Sequence, residues 1–397
     1  MDFIPLGAFK IYFYSCIIRI MNKPLHTGLR TWIEIDKKSI KHNYNVFRPL
    51  IKPKCKLMAV VKSNAYGHSI LDFSKEMEKL GADYFGVDSI VEGIALRKSG
   101  IKKPILVLGY TLPEMLKEAF EYNLELTVST FETLNEIKKQ NSNKIKVHIK
   151  VDTGMGRHGF LPGQMQKVIS EIKKIKNIDI VGLYTHFSSA KNPSFPQYTK
   201  RQIEIFNEWI DVFKKAGFNP IKHACATSGT ILFPESHFDM VRIGIGLYGI
   251  WPSIETKEFI NNKFVLKPIL TWKTIVCEIK DLPEGSKIGY DSTETLEKKT
   301  KIAICPIGYW HGYPRALSSI GKVLIDGKKC KILGRICMDI IIVDISSTKN
   351  VKVGDEVVLI GKLGKEKVSA DDISKILDGS TYELLTRINP LIKRIYI

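Results

Sequence analysis

Between residues 56 and 250 the chain alternates short apolar, β-rich runs with segments of helical period, and this alternation restricts the fold more than any other feature. The runs fall at 56–61, 84–87, 105–108, 124–128, 146–151, 181–184, 221–224 and 240–243. Between them the spacing predicts helices over 69–80, 89–97, 113–121, 131–140, 164–174 and 196–216. Eight strands with intervening helices over about 200 residues match the size and rhythm of a (β/α)8 barrel. A doubly wound sheet shares the alternation, and strand count alone does not separate the two. After residue 262 the pattern changes to strands at 265–279, 301–306, 321–325, 331–338 and 355–360, with turn signals such as Asp326-Gly327 and Val353-Gly354-Asp355. The expected architecture is therefore α/β: an extension over 1–28, a (β/α)8 TIM-type barrel over 29–262 and a mainly β domain over 263–397. Residues 31–36 alternate like a strand ahead of the first helix, a strand that can pair with the β domain rather than with the barrel.

Hydrophobic residues make up 44% of the 397 and charged residues 25%, which excludes disorder and allows a substantial core. The formal net charge of +19 raises nucleic acid or a membrane surface as partners. The distribution argues against both: lysines such as Lys167, Lys173-Lys174 and Lys214-Lys215 are scattered with glutamates interleaved, the pattern of a solvated surface. Seven cysteines are spread along the chain with no C-x-x-C pair and no metal-site spacing, so the expectation is a reduced, cytoplasmic protein without a metal. The apolar residues near the N-terminus are broken by Lys10 and Arg19, follow Asp2 and lack a cleavage pattern, unlike a signal or anchor. A disordered extension, or a start placed too far upstream with Met21 as the alternative, fits better.

Lys62 follows Leu57-Met58-Ala59-Val60-Val61 and precedes Ser63-Asn64-Ala65-Tyr66-Gly67, the position where a buried strand delivers a residue into a cleft. A lysine partly desolvated there is a candidate Schiff-base nucleophile or general base; the plainer alternative is a lysine capping the strand against a carboxylate. In a barrel, residues just after each strand line one face. They are Lys62 and Tyr66, then 152–159 with Arg157, then His186, Thr227-Ser228-Gly229, and Arg242-Ile243-Gly244-Ile245-Gly246. Glycines beside a serine suit a phosphate, because backbone amides can approach it closely. An imine-forming lysine, a phosphate seat, an arginine and a histidine together point to pyridoxal 5'-phosphate. Singly, His186 also fits a hydrogen-bonded core histidine, Ser228 a helix N-cap, and Gly244 and Gly246 packing. Gly154-Met155-Gly156-Arg157-His158-Gly159 spells G-x-G-x-x-G but falls in mid-chain and carries bulky charged residues where pyrophosphate would approach, a weak match to a nicotinamide site.

Three barrel motifs give the chain a resemblance to the alanine racemases from about Thr31 to the C-terminus. They are Ala59-Val60-Val61-Lys62-Ser63-Asn64-Ala65-Tyr66-Gly67-His68, Lys150-Val151-Asp152-Thr153-Gly154-Met155-Gly156-Arg157 and Arg242-Ile243-Gly244-Ile245-Gly246-Leu247-Tyr248-Gly249. In the β domain Gly289-Tyr290, Pro306-Ile307-Gly308-Tyr309 and Gly334-Arg335-Ile336-Cys337-Met338-Asp339 continue the series. The resemblance implies a pyridoxal 5'-phosphate enzyme that interconverts L- and D-alanine, with Lys62 carrying the cofactor and acting as base on one face of Cα. Tyr290 resembles the opposite base, supplied in trans by the β domain of a second subunit, so a homodimer is implied. Arg242 is similar to the arginine facing the pyridine nitrogen, and an always-charged donor there keeps that nitrogen unprotonated. Arg157 and the Met338 amide resemble the substrate carboxylate contacts, with Lys150 supporting Arg157, in some members as a carbamate. Tyr66, Ser228, Gly244 and Ile245 resemble phosphate contacts, His186 lies next to Arg242, and Tyr309 lines the site. D-alanine for peptidoglycan is the implied product. A broader amino acid racemase and a non-catalytic cofactor carrier are the rival readings. One departure is that Pro390 stands where some members place a phosphate-contacting tyrosine.

Overall fold

The computed structural model describes residues 26–140 and 144–397, so the expected extension and the alternative start Met21 lie, apart from 26–28, outside the described residues. The first strand, β1 (Thr31–Ile35), runs into a helix Lys37–Phe47 whose N-terminus is capped by Asp36; its carboxylate accepts from the Lys38 amide at 2.8 Å and the Ser39 hydroxyl at 2.6 Å. Eight parallel strands follow: β2 (Lys56–Val60), β3 (Tyr84–Val87), β4 (Ile105–Val107), β5 (Glu125–Val128), β6 (Ile145–Lys150), β7 (Ile178–Tyr184), β8 (Ile221–His223) and β9 (Met240–Ile243). Each pairs with the next, and β2 pairs with both β3 and β9, which closes the ring and excludes the doubly wound sheet. The expected helices form between the strands within a residue or so of their predicted ends, and those beginning at Ile90 and Phe131 are capped by Ser89 and Thr130. The chain is thus a (β/α)8 barrel followed by a mainly β domain.

The second half holds β10 (Leu270–Ile275) and a sheet that continues through strands such as Thr300–Cys305, Lys328–Leu333 and Glu356–Leu363 to a final strand, Lys393–Tyr396. Two expected runs are shorter than predicted. The run 265–279 breaks at 276–277, where the Cys277 amide turns to the Ile304 carbonyl and starts a new strand, and the run 331–338 ends at Leu333 because Gly334 turns the chain at φ +62°. Helices Ala370–Ile376 and Thr381–Thr386 were not legible beforehand.

β1 pairs antiparallel with β10 and parallel with Lys393–Tyr396, so the strand that precedes the barrel lies inside the sheet of the C-terminal half. Trp32, Ile33, Ile35 and Trp272 on this junction are wholly enclosed. Ile33→Ala is expected to cost about 2–5 kcal/mol, read as a fall in melting temperature. A variant as stable as the parent would show that β1 does not anchor the two halves.

Candidate active site

Lys62 emerges two residues after β2 and opens an unusual turn. Ser63, Asn64, Ala65 and Tyr66 all have φ between +52° and +55°, a single turn of left-handed helix made without glycine until Gly67. Such residues cost about 1–2 kcal/mol each, so the surroundings must hold them. Glu92 does so from the next unit: its carboxylate accepts from the amides of Ser63 at 2.7 Å, Asn64 at 3.3 Å and Asp88 at 2.8 Å. Asn64 in turn accepts from the Ile70 amide at 2.9 Å, and the ring of His68 lies 2.9 Å from the carbonyls of Ala65 and Tyr66. From the C-terminal strand, Arg394 donates to the Gly67 carbonyl at 3.0 Å and the Tyr396 hydroxyl to the His68 carbonyl at 2.7 Å. The Lys62 ammonium, 39% exposed, reaches Asp88 at 2.9 Å over the mouth of a cleft of about 660 Å³. A carboxylate partner was the plainer sequence expectation for this lysine, and here it sits within the cleft itself.

The floor of the cleft is cationic. Arg242 on β9 is buried; its Nη2 donates to the carbonyls of Thr185 at 2.8 Å and Ala224 at 2.7 Å and lies 3.2 Å from Nδ1 of His186. An arginine has no acceptor, so that His186 nitrogen must be unprotonated. Burial, then the charges of Arg242, Arg157, Lys150 and Lys62, push the imidazole down to about 3, leaving it neutral. Lys150 ends β6 with its ammonium 5.4 Å from the centre of the Tyr184 ring; burial, then Arg157 and Arg242, lower it to about 8. Arg157 is presented by a loop that Asp152 organises, its carboxylate accepting from the amides of Gly154, Met155 and Arg157 at 2.8–2.9 Å. Burial alone would raise the Asp152 carboxyl, but these amides outweigh it and hold it below its usual range.

One rim of the cleft is lined by Tyr66, Thr227, Ser228, Gly244 and Ile245. A Cβ at Gly244 would lie 2.6 Å from the Tyr66 hydroxyl, so only glycine leaves that hydroxyl and the neighbouring backbone reachable. Gly246, by contrast, packs against Phe47. Ser228 is not an N-cap: it lies inside the helix Thr227–Leu232, which starts after Ala226. Tyr382, from the helix Thr381–Thr386, closes this rim with its ring 6.1 Å from that of Tyr66. Pro390 is not among the lining residues, whereas Tyr382, eight residues earlier in the chain, is.

Tyr290, Met338 and Tyr309 do not line the cleft of their own chain. Their loops meet one another at an edge of the β domain: Asp291 pairs with Arg335 at 3.0 Å, the Tyr309 amide donates to the Cys337 carbonyl at 3.1 Å, and the Trp310 amide to the Met338 carbonyl at 3.0 Å. Tyr290 is 68% exposed, Met338 55% and Tyr309 43%, alongside Trp310 and Ile340, an apolar edge of the kind that marks a protein contact.

Residues 35–252 match the family model described as alanine racemase, N-terminal domain, and residues 269–396 the alanine racemase C-terminal domain. The chain belongs to the alanine racemase family. It is 42% identical to the alanine racemase of Methanococcus maripaludis over 92% of this chain and 98% of that one, and 41% identical to that of Halothermothrix orenii over 92% and 96%. Among solved structures, the alanine racemase of Clostridium difficile 630 superposes with a TM-score of 0.88 at 36% identity, covering 93% of this chain and 96% of that one. The Bacillus anthracis alanine racemase with bound L-Ala-P gives 0.88 at 34% identity, covering 93% and 95%. The protein is accordingly an isomerase, an amino acid racemase of this family.

The sequence reading missed Asp88, Glu92 and Tyr382. The first two follow β3, and the rule that selected Lys62 would have found them; Tyr382 had a signal in Ser380, which caps the helix that presents it. Glu92→Ala should release the left-handed turn and lower racemase turnover about 10²-fold, the effect of misplacing a reacting group by about 1 Å, while circular dichroism stays unchanged. Unaltered turnover would mean that Glu92 is dispensable for presenting Lys62.

Proposed function

We propose that the chain is a pyridoxal 5'-phosphate-dependent racemase that interconverts L- and D-alanine by two bases, Lys62 on one face of Cα and Tyr290 of the partner subunit on the other. The observation that carries this reading is the convergence of Lys62, Arg242, His186, Arg157 and the Tyr66–Ser228–Gly244–Ile245 rim on one cleft at the C-terminal ends of the barrel strands. The donor set fits the cofactor: an amine at one side, a guanidinium on the floor, and a hydroxyl with exposed backbone at a glycine where a Cβ would intrude. When bound, pyridoxal phosphate supplies an electron-withdrawing ring that weakens the substrate's Cα–H bond.

The protein's own contributions follow from position. Lys62 Nζ would hold the cofactor and would move a proton at one face of Cα. The phenol of Tyr290 moves it at the other, because a single group returning the proton from the side it left restores the starting hand. Arg242 would face the ring nitrogen as an always-charged donor and so would leave it unprotonated. Arg157 and the Met338 amide hold the substrate carboxylate, Tyr309 shapes the entrance, and Tyr66, Ser228, Gly244, Ile245 and Tyr382 hold the phosphate. The exposed edge bearing Tyr290, Tyr309 and Met338 supports a homodimer in which each β domain completes the other subunit's cleft. The setting is cytoplasmic, and D-alanine for peptidoglycan is the product it serves.

Lys150 adds a further part of the reading. With its amine lowered to about 8, about a tenth is neutral at pH 7, and the neutral amine can add carbon dioxide, forming an N–C bond and releasing a proton. The resulting carbamate would set a negative charge beside Arg157 and Arg242. Its share should rise as pH increases through about 8 at fixed dissolved carbon dioxide, since only the deprotonated amine reacts. A carbamate resonance from 13C-bicarbonate that disappears in Lys150→Met checks this; its absence from the parent protein contradicts it.

Borohydride reduction of the loaded protein should fix the cofactor to the peptide containing Lys62. Lys62→Ala and Tyr290→Phe should each be inactive alone, whereas mixed dimers should recover about a quarter of parental activity, because random pairing leaves one intact site in every hybrid. No recovery on mixing would rule out a shared site.

A further inference from the structure

The interior of a (β/α)8 barrel is normally filled by branched apolar side chains. Here four polar groups run through it in one line. Oε2 of Glu125 lies 2.8 Å from Nε2 of His148, Nδ1 of His148 lies 2.9 Å from Nε2 of His223, and Nδ1 of His223 lies 2.8 Å from Nη1 of Arg242. Glu125 is 5% exposed, Arg242 3%, and the two histidines are completely enclosed.

The fold makes room for this line. A Cβ at Gly182, the β7 residue paired with His148, would overlap the His148 ring. Tyr184 stacks flat on His223, with centroids 4.7 Å apart and planes 4° from parallel, and its hydroxyl is 2.8 Å from that of Thr127.

Its direction is fixed by one fact: a guanidinium only donates. Nδ1 of His223 must therefore accept, so its hydrogen sits on Nε2 and is donated to Nδ1 of His148. That ring then carries its own hydrogen on Nε2 and donates it to the Glu125 carboxylate. The chain has one polarity, Arg242 to His223 to His148 to Glu125, and the positive and negative ends balance across the barrel. Chains aligned in this way strengthen one another in a low-dielectric interior. At the other end, Nη2 is held by the Thr185 and Ala224 carbonyls, while Nε has no partner among the described residues. A donor is left over for an acceptor in the cleft that Arg242 lines.

We propose that Glu125, His148 and His223 are positioning residues that hold the Arg242 guanidinium aimed at the acceptor nitrogen of the cofactor ring. The proposal rests on the pyridoxal phosphate reading above. A chain that only filled the barrel would affect stability and leave that nitrogen unchanged.

Protein loaded with pyridoxal phosphate labelled with 15N in the ring gives the discriminating readout, since the shift separates a hydrogen-bonded ring nitrogen from a bare one. In the parent protein the shift should be that of an unprotonated, hydrogen-bonded nitrogen. Glu125→Ala and His148→Phe should move it towards the value in Arg242→Leu. Glu125→Gln, whose amide oxygen can still accept from Nε2 of His148, should stay close to the parent. The parental shift retained in Glu125→Ala and His148→Phe would overturn the proposal, as would Glu125→Gln moving as far as Glu125→Ala. Long-range 15N–1H correlation on the unloaded parent protein with labelled histidine tests the chain without any variant or cofactor. Both rings should be neutral with hydrogen on Nε2; a charged ring or hydrogen on Nδ1 overturns the chain. Failure of the parent to bind pyridoxal phosphate, with the expected tautomers present, would instead bring down the cofactor reading and with it the role given to Arg242.

Discussion

Four consecutive residues at positive φ, directly after the lysine proposed as one of the two bases, set the terms for the rest of the molecule. Their cost, about 1–2 kcal/mol each, is offset by hydrogen bonds from two sources. Glu92 binds the start of the turn from the barrel side, while Arg394 and Tyr396 bind its end from the last strand of the chain. Arg394 also gathers the carbonyls of Asn389 at 2.7 Å and Ile392 at 2.6 Å, so the turn is tied to the segment that precedes that strand. Because Lys393–Tyr396 pairs with β1 and β1 with β10, the sheet of the C-terminal half is a support for Lys62 within one chain. The same domain leaves its Tyr290 edge exposed.

The electrostatics follow from how many cations share so little space. Lys62, Lys150, Arg157 and Arg242 all line one cleft. Their fields, added to burial, keep His186 neutral at any physiological pH and bring Lys150 to about 8. A neutral His186 adds no further positive charge to the cleft. The cationic floor also favours the anionic groups of a phosphate and an amino acid carboxylate.

The barrel strands were legible because parallel strands buried on both faces read as continuous apolar runs bounded by turns. The β domain was less legible: its strands bend or stop at single residues such as Gly334, and its two short helices are too brief to show a period. The cleft was legible wherever a residue beyond a strand end carries chemistry, as at Lys62, Arg157 and His186. The left-handed turn was hidden because residues 63–66 include no glycine to signal positive φ. Glu125, His148 and His223 were hidden because they lie within strands, where the sequence does not say which side faces the barrel axis. Tyr290, Met338 and Tyr309 were selected by resemblance alone, since tyrosines and a methionine between strands carry no signal of their own.

Two-base racemisation requires proton transfer at both faces of Cα. L-alanine incubated in heavy water with the protein loaded with pyridoxal phosphate tests it most directly, following D-alanine and deuterium at Cα together. The expected product is D-alanine that carries deuterium, formed as the L form is consumed. Deuterium entering L-alanine without inversion would contradict it, because a site that exchanges without inverting has a base on only one face.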